Sequence, residues 1–171
     1  MRVTHNMKTK KIAYIGLMIA LAFVFSYIEF LLPLHIGIPG VKLGLANLAI
    51  IVCLYTLGEK EALLLSIIRI VLVGFTFGNM AMMMYSLAGG ILSFLVMWIA
   101  KKSNKLSMTG VSVLGGVFHN IGQILLAMWI LETDSLMYYL PVLIVSGIVA
   151  GVLIGIIGAL ITKRIKKLIR L

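Results

Sequence analysis

Acidic side chains are scarce in this chain of 171 residues: Glu29, Glu59, Glu61, Glu132 and Asp134 are all it has, against fifteen Lys and Arg. None of them forms the paired Asp-rich cluster that would hold Mg²⁺ against a diphosphate. The chain also lacks a Walker phosphate loop, an HExxH helix and a plausible Ser/His/Asp set. His119 has no carboxylate nearby in sequence and no second histidine at metal-ligand spacing. A single cysteine, Cys53, excludes a disulfide framework within the chain and any multi-cysteine metal cluster. It lies in an apolar run and reads as a small core residue. A self-contained enzyme is therefore not expected, and no cofactor or metal is implied.

Charge of either sign is also sparse. Only 12% of residues are charged and 62% are hydrophobic, whereas a soluble domain averages about 25% charged residues. The expectation is an all-α integral membrane protein: one six-helix membrane domain over residues 12–162, flanked by a basic N-terminus (1–11) and a basic tail (163–171). The first apolar run follows Lys8, Lys10 and Lys11 and continues to Leu32. That is too long for a signal-peptide core, so no cleavable signal is expected. The net charge of +10 is not spread as a nucleic-acid footprint. Thirteen of the basic residues sit at the chain ends, at Lys60 or at 101–105, the pattern of positive-inside topology. Six spans with both termini cytoplasmic follow from that asymmetry, and a bacterial-type cell membrane is the expected location.

Span by span, the first run (about 12–32) carries Ala13, Gly16 and Ala20, a smooth strip on which another helix can approach closely. Packing inside the bundle and docking of an outside partner are both open for it. Glu29 falls about 26 Å along this helix, near the outer interface. There it is either solvated or a partner for Arg69. A loop with two prolines and two glycines, 33–40, then leads to Val41-Lys42-Leu-Gly-Leu-Ala-Asn47, which opens the second span. Lys42 and Asn47 are candidates for holding an anionic or polar ligand, with a snorkelling lysine as the plain alternative.

The second and third runs (to about 57, and about 62–75) are short for a hydrocarbon core of about 30 Å. Arg69 lies about 12 Å into the third, near mid-membrane, where an ionisable side chain implies a partner or a function. The second outer loop, 74–79, ends on Asn79. The fourth run (about 80–100) opens with Met80, Met82, Met83, Met84 and Tyr85, and its Gly89-Gly90 permits close backbone approach. The sixth (about 137–161) carries Gly147, Gly151, Gly155 and Gly158, whose four-residue spacing makes a packing face.

The fifth run (about 106–131) contains the stretch around which the rest is organised, Gly115-Gly-Val-Phe-His119-Asn120-Ile-Gly-Gln123. Steps of three and four put His119, Asn120 and Gln123 on one helix face. Three such side chains in hydrocarbon either tie helices together or line a ligand pocket.

Three motifs in order, Pro39-Gly-Val-Lys-Leu-Gly-Leu-Ala-Asn47, Tyr85-Ser-Leu-Ala-Gly-Gly90 with Ser93, and Ser112 through Gln123, resemble those of a known family. It comprises the membrane proteins labelled heptaprenyl diphosphate synthase component I, also called the Gx transporter family. That family is similar to the substrate-binding S components of energy-coupling factor (ECF) transporters. The resemblance implies a six-helix protein that binds a small molecule near its outer face and docks on a coupling subunit, with partner ATPases, through small residues of its first helix. Ala13, Gly16 and Ala20 would be that docking strip, with Gly16 departing from the usual alanine pair. The implied substrate-binding residues are Lys42, Asn47, Arg69, Asn79, Tyr85, His119, Asn120 and Gln123. The implied substrate is isoprenoid-, quinone- or flavin-related. The alternative is a non-catalytic membrane subunit associated with heptaprenyl diphosphate synthase or with a flavin-based extracellular electron-transfer system.

Overall fold

The computed structural model describes residues 2–32 and 44–169. The expected loop at 33–40 and Lys42 lie outside the described residues. Six α-helices account for nearly all of that chain: α1 (Arg2–Leu31), α2 (Leu45–Thr56), α3 (Glu59–Thr76), α4 (Met80–Lys102), α5 (Met108–Leu131) and α6 (Leu140–Ile169). A 3-10 turn, Asp134–Tyr139, precedes α6, and no strand occurs among the described residues.

The helix boundaries have local causes. Asn79 Oδ1 accepts from Met82 N–H at 2.8 Å, and Ser107 Oγ accepts from Gly110 N–H at 3.2 Å, satisfying amides that the first turns of α4 and α5 leave open. Between α2 and α3 the chain turns at Gly58, whose φ of +124° is open to glycine alone without strain. Pro141 sits in the first turn of α6, where its missing N–H costs nothing. The sixth helix thus begins at Leu140 rather than 137, with the 3-10 turn in front of it.

Both ends of the chain extend as helix beyond the apolar runs. Nothing breaks the helix between Arg2 and Ile12, nor between Thr162 and Ile169, so α1 and α6 each reach 30 residues, about 45 Å.

Four segments are long and apolar enough to cross a membrane: Lys11–Leu31, Met80–Lys102, Met108–Leu131 and Asp134–Lys167. The expected second and third spans are different. α2 is a 12-residue apolar helix, about 18 Å long. α3 has 18 residues but carries Glu59, Lys60, Glu61 and Arg69.

Packing explains α2. Every residue from Leu48 to Leu54 is buried, as expected of a helix apolar on all sides and enclosed by others. α1, α3 and α6 surround it. On the opposite side, α5 lies between α4 and α6, and glycines set the spacing. A β-carbon at Gly89 would lie 2.5 Å from the His119 carbonyl oxygen, and one at Gly151 would lie 2.6 Å from Val113 Cα. The glycine face of α6 is therefore a backbone-to-backbone seam against α5. Ser93 Oγ adds a buried bond across the α4–α5 seam, donating to the Gly115 carbonyl at 2.8 Å.

The outer surface is apolar: Phe75, Trp129, Ile12 and Leu160 are each well over half exposed. Such a belt is expected on a helix bundle solvated by lipid.

The two ends of the bundle differ in chemistry. At one, Lys11 Nζ pairs with Glu61 at 2.5 Å, Trp98 Nε1 donates to Glu59 at 3.0 Å, and Lys101 Nζ donates to the Leu54 carbonyl at 2.6 Å near the end of α2. At the other, Phe77 between α3 and α4 packs against Phe23, Tyr27 and Phe30 of α1, with ring centroids 5.2–5.5 Å apart.

Candidate functional site: a polar cleft shared by all six helices

On the aromatic side of the bundle, a cleft with ≈ 500 Å³ of empty space, part of it continuous with solvent, is lined from every helix. α1 contributes Glu29, α2 Ala46 and Asn47, α3 Arg69, α4 Ser86, α5 His119, Asn120 and Gln123, and α6 Gly147 and Ala150. A narrower space of ≈ 300 Å³ shares Gly44, Asn47, Gly116 and Ala150 with it. That space runs between Ser93, Met97, Ser112 and Ile154.

The polar side chains arrive by helical spacing. On α4, Gly89, Gly90, Ser93, Met97 and Ala100 form the buried face, and Ser86 lies one turn before it. On α5, Gly115 and Gly116 hold the flanking helices close one turn below His119 and Asn120. A β-carbon at Gly116 would meet the Gly147 carbonyl oxygen at 2.5 Å.

Asn120 serves two settings at once. Its Nδ2 donates to the Leu143 carbonyl at 2.6 Å and to Ser146 Oγ at 3.4 Å, tying α5 to α6. Its side chain also lines the cleft. Both of these bonds use the amide nitrogen.

Arg69 is the most demanding group in the cleft. Only 9% of its surface is exposed, and its Nε has no hydrogen-bond partner. A buried guanidinium with an unfilled donor carries a desolvation cost that an acceptor would relieve. Glu29, also on the cleft wall, does not pair with it directly. Its Oε1 instead accepts from Gly44 N–H at 2.5 Å, filling an amide at the start of α2.

The site expected from sequence is thus partly assembled. Asn47, Arg69, His119, Asn120 and Gln123 meet on one wall system. Asn79 does not join them, since its side chain caps α4, and Tyr85 is half-buried but not on this cleft. Sequence reasoning missed Ser86, which the glycine–serine periodicity of α4 would have found, and left Glu29 undecided. Ala13, Gly16 and Ala20 form an exposed strip on α1, and a β-carbon built at Gly16 meets nothing within 4 Å.

Nothing in the cleft has the makings of a metal centre: no group of three or more His, Cys, Asp or Glu stands close enough together among the described residues. Residues 18–161 match the protein family described as heptaprenyl diphosphate synthase component I. The chain belongs to that family. The match spans the polar cleft and every element lining it, from Glu29 to Ala150. The family's name places it as a component of a synthase system, and its helices suit a membrane protein. No curated protein and no solved structure matches the chain.

Proposed function

We propose that this protein is a membrane-embedded small-molecule-binding subunit, S-component-like, of an ECF-type uptake system. In this reading all six helices lie in or against the bilayer with both termini cytoplasmic. The polar cleft captures a ligand from the outer side, and partner ATPases drive its release. The observation that carries the reading is Arg69, buried with an unfilled donor on the wall of a cleft to which every helix contributes. Structural glue alone does not need such a space, because helix ties such as Asn120 to Leu143 are made across direct contacts.

Asn47, Arg69, Ser86, His119, Asn120 and Gln123 would hold the ligand, with Lys42 as a further candidate. The open strip at Ala13, Gly16 and Ala20 would receive the coupling subunit, since small residues let helix backbones approach closely. The ligand's proposed sphere is isoprenoid, quinone or flavin metabolism.

The family description favours a second reading, in which the protein is a non-catalytic membrane component of a heptaprenyl diphosphate synthase. Native mass spectrometry of the gently solubilised protein separates the two. A stoichiometric small molecule, lost in Gln123→Ala, is expected for the binding subunit. Bulk lipid alone, with a soluble prenyl synthase retained, would favour the second reading and reduce the cleft to packing.

A further inference from the structure

Among the described residues lining the cleft, Glu29 and Arg69 are the carboxylate and the guanidinium. They come from different helices, α1 and α3, and they do not pair. The one direct ion pair among the described residues is Lys11 with Glu61, at the other end of the bundle. Arg69 is nine-tenths buried with its Nε unpartnered, and Glu29 has one oxygen committed to Gly44 N–H. Asn47, Ser86, Asn120 and Gln123 add neutral donors and acceptors, and His119 adds a titratable imidazole.

Opposite charges that act on each other across one cavity without direct contact leave room between them for a third body of complementary charge. We propose that the cleft selects a small zwitterion, its anionic group against Arg69 and its cationic or N–H-donating group against Glu29, with Glu29 as the specificity-determining residue. This rests on the binding-subunit reading but not on its isoprenoid, quinone or flavin sphere, which it replaces with a ligand chosen by charge. A molecule with two anionic groups would place one of them near the Glu29 carboxylate. Like charges repel strongly where water is excluded, and no metal site is at hand among the described residues to compensate. A dication meets the same obstacle at Arg69.

Glu29→Gln is the discriminating variant, because the glutamine oxygen can still accept from Gly44 N–H while the charge is gone. The full-length protein, in lipid nanodiscs, is incubated with a total small-molecule extract of its source cells, lipid-soluble metabolites included. The extract is first separated on ion exchangers into anionic, cationic, zwitterionic and neutral pools. Native mass spectrometry then reads which pool supplies a bound species and its apparent affinity. The expected result is a species from the zwitterionic pool whose affinity falls roughly ten- to a hundred-fold in Glu29→Gln, with binding from the anionic pool appearing in that variant. Binding from any other pool in the unaltered protein would overturn the charge inference and leave the binding-subunit reading standing. So would zwitterion binding that Glu29→Gln leaves unchanged. No bound species from any pool would overturn both.

Discussion

Gly116→Ala tests the seam that shapes the cleft. The added methyl would sit 2.5 Å from the Gly147 carbonyl oxygen, where ordinary contact begins at 3.4 Å, so α5 and α6 must separate by about 0.9 Å. The obstacle is backbone, which has no rotamer to move away. One turn along the same face, Asn120 Nδ2 reaches the Leu143 carbonyl at 2.6 Å, and the same displacement stretches that bond to the edge of usefulness. Overpacking costs about 1–3 kcal/mol, and an interhelical hydrogen bond in a membrane protein contributes about 0.6 kcal/mol. The variant should therefore lose about 2–4 kcal/mol in reversible unfolding from mixed micelles, followed by circular dichroism. Gly16→Ala is the matched control. Nothing lies within 4 Å of its added methyl, so it should be neutral or gain about 0.5–1 kcal/mol of helix stability. Equal stability of Gly116→Ala and the unaltered protein, or a larger loss in Gly16→Ala, would refute the account of the seam.

Other expectations concern charge, orientation and docking. The Lys11 ammonium, hydrogen-bonded to Glu61, holds that carboxyl below its ordinary value of 4.5. A folded-state value below the unfolded one makes the contribution complete above that range and lost as pH falls through it. Acid titration of unfolding should thus show a destabilisation below about pH 4.5 that Lys11→Gln reduces; identical acid profiles would contradict the pairing. Cys53 is fully buried, so thiol labelling of intact cells has a silent background. Ser135→Cys should react from outside and Ser103→Cys only after permeabilisation, and the reverse would invert the proposed topology. Gly16→Leu should leave the protein at least as stable to unfolding yet abolish co-purification with a coupling subunit. A retained complex would remove the docking role from the α1 strip.

Much of the architecture was legible because hydrocarbon imposes simple rules. Long apolar runs marked the four longest helices, with a basic loop between α4 and α5 and an acidic one between α5 and α6, and the spacing of Gly147, Gly151 and Gly155 on α6 marked its seam with α5. The shared face of His119, Asn120 and Gln123 followed from helical periodicity alone. The relation of Glu29 to Arg69 was harder to read. Counting rise along each helix assumes that every helix starts at the interface and runs perpendicular to it. A short, enclosed α2 and a charged α3 break that assumption, and two residues assigned different depths share one cleft wall. The double setting of Asn120 was likewise hidden, because spacing gives the face on which an amide lies but not the carbonyl it meets. Ser86 was overshadowed by its neighbour Tyr85, although its periodicity with Gly90 and Ser93 pointed inward.

The most direct measurement is an experimental structure of the protein in lipid nanodiscs, resolved well enough to show side chains and bound molecules in the cleft. The account predicts non-protein density between Arg69, Glu29 and the face formed by His119 and Gln123, with the two charged groups held apart. A cleft closed by a direct Glu29–Arg69 ion pair, with no density between the helices, would contradict it.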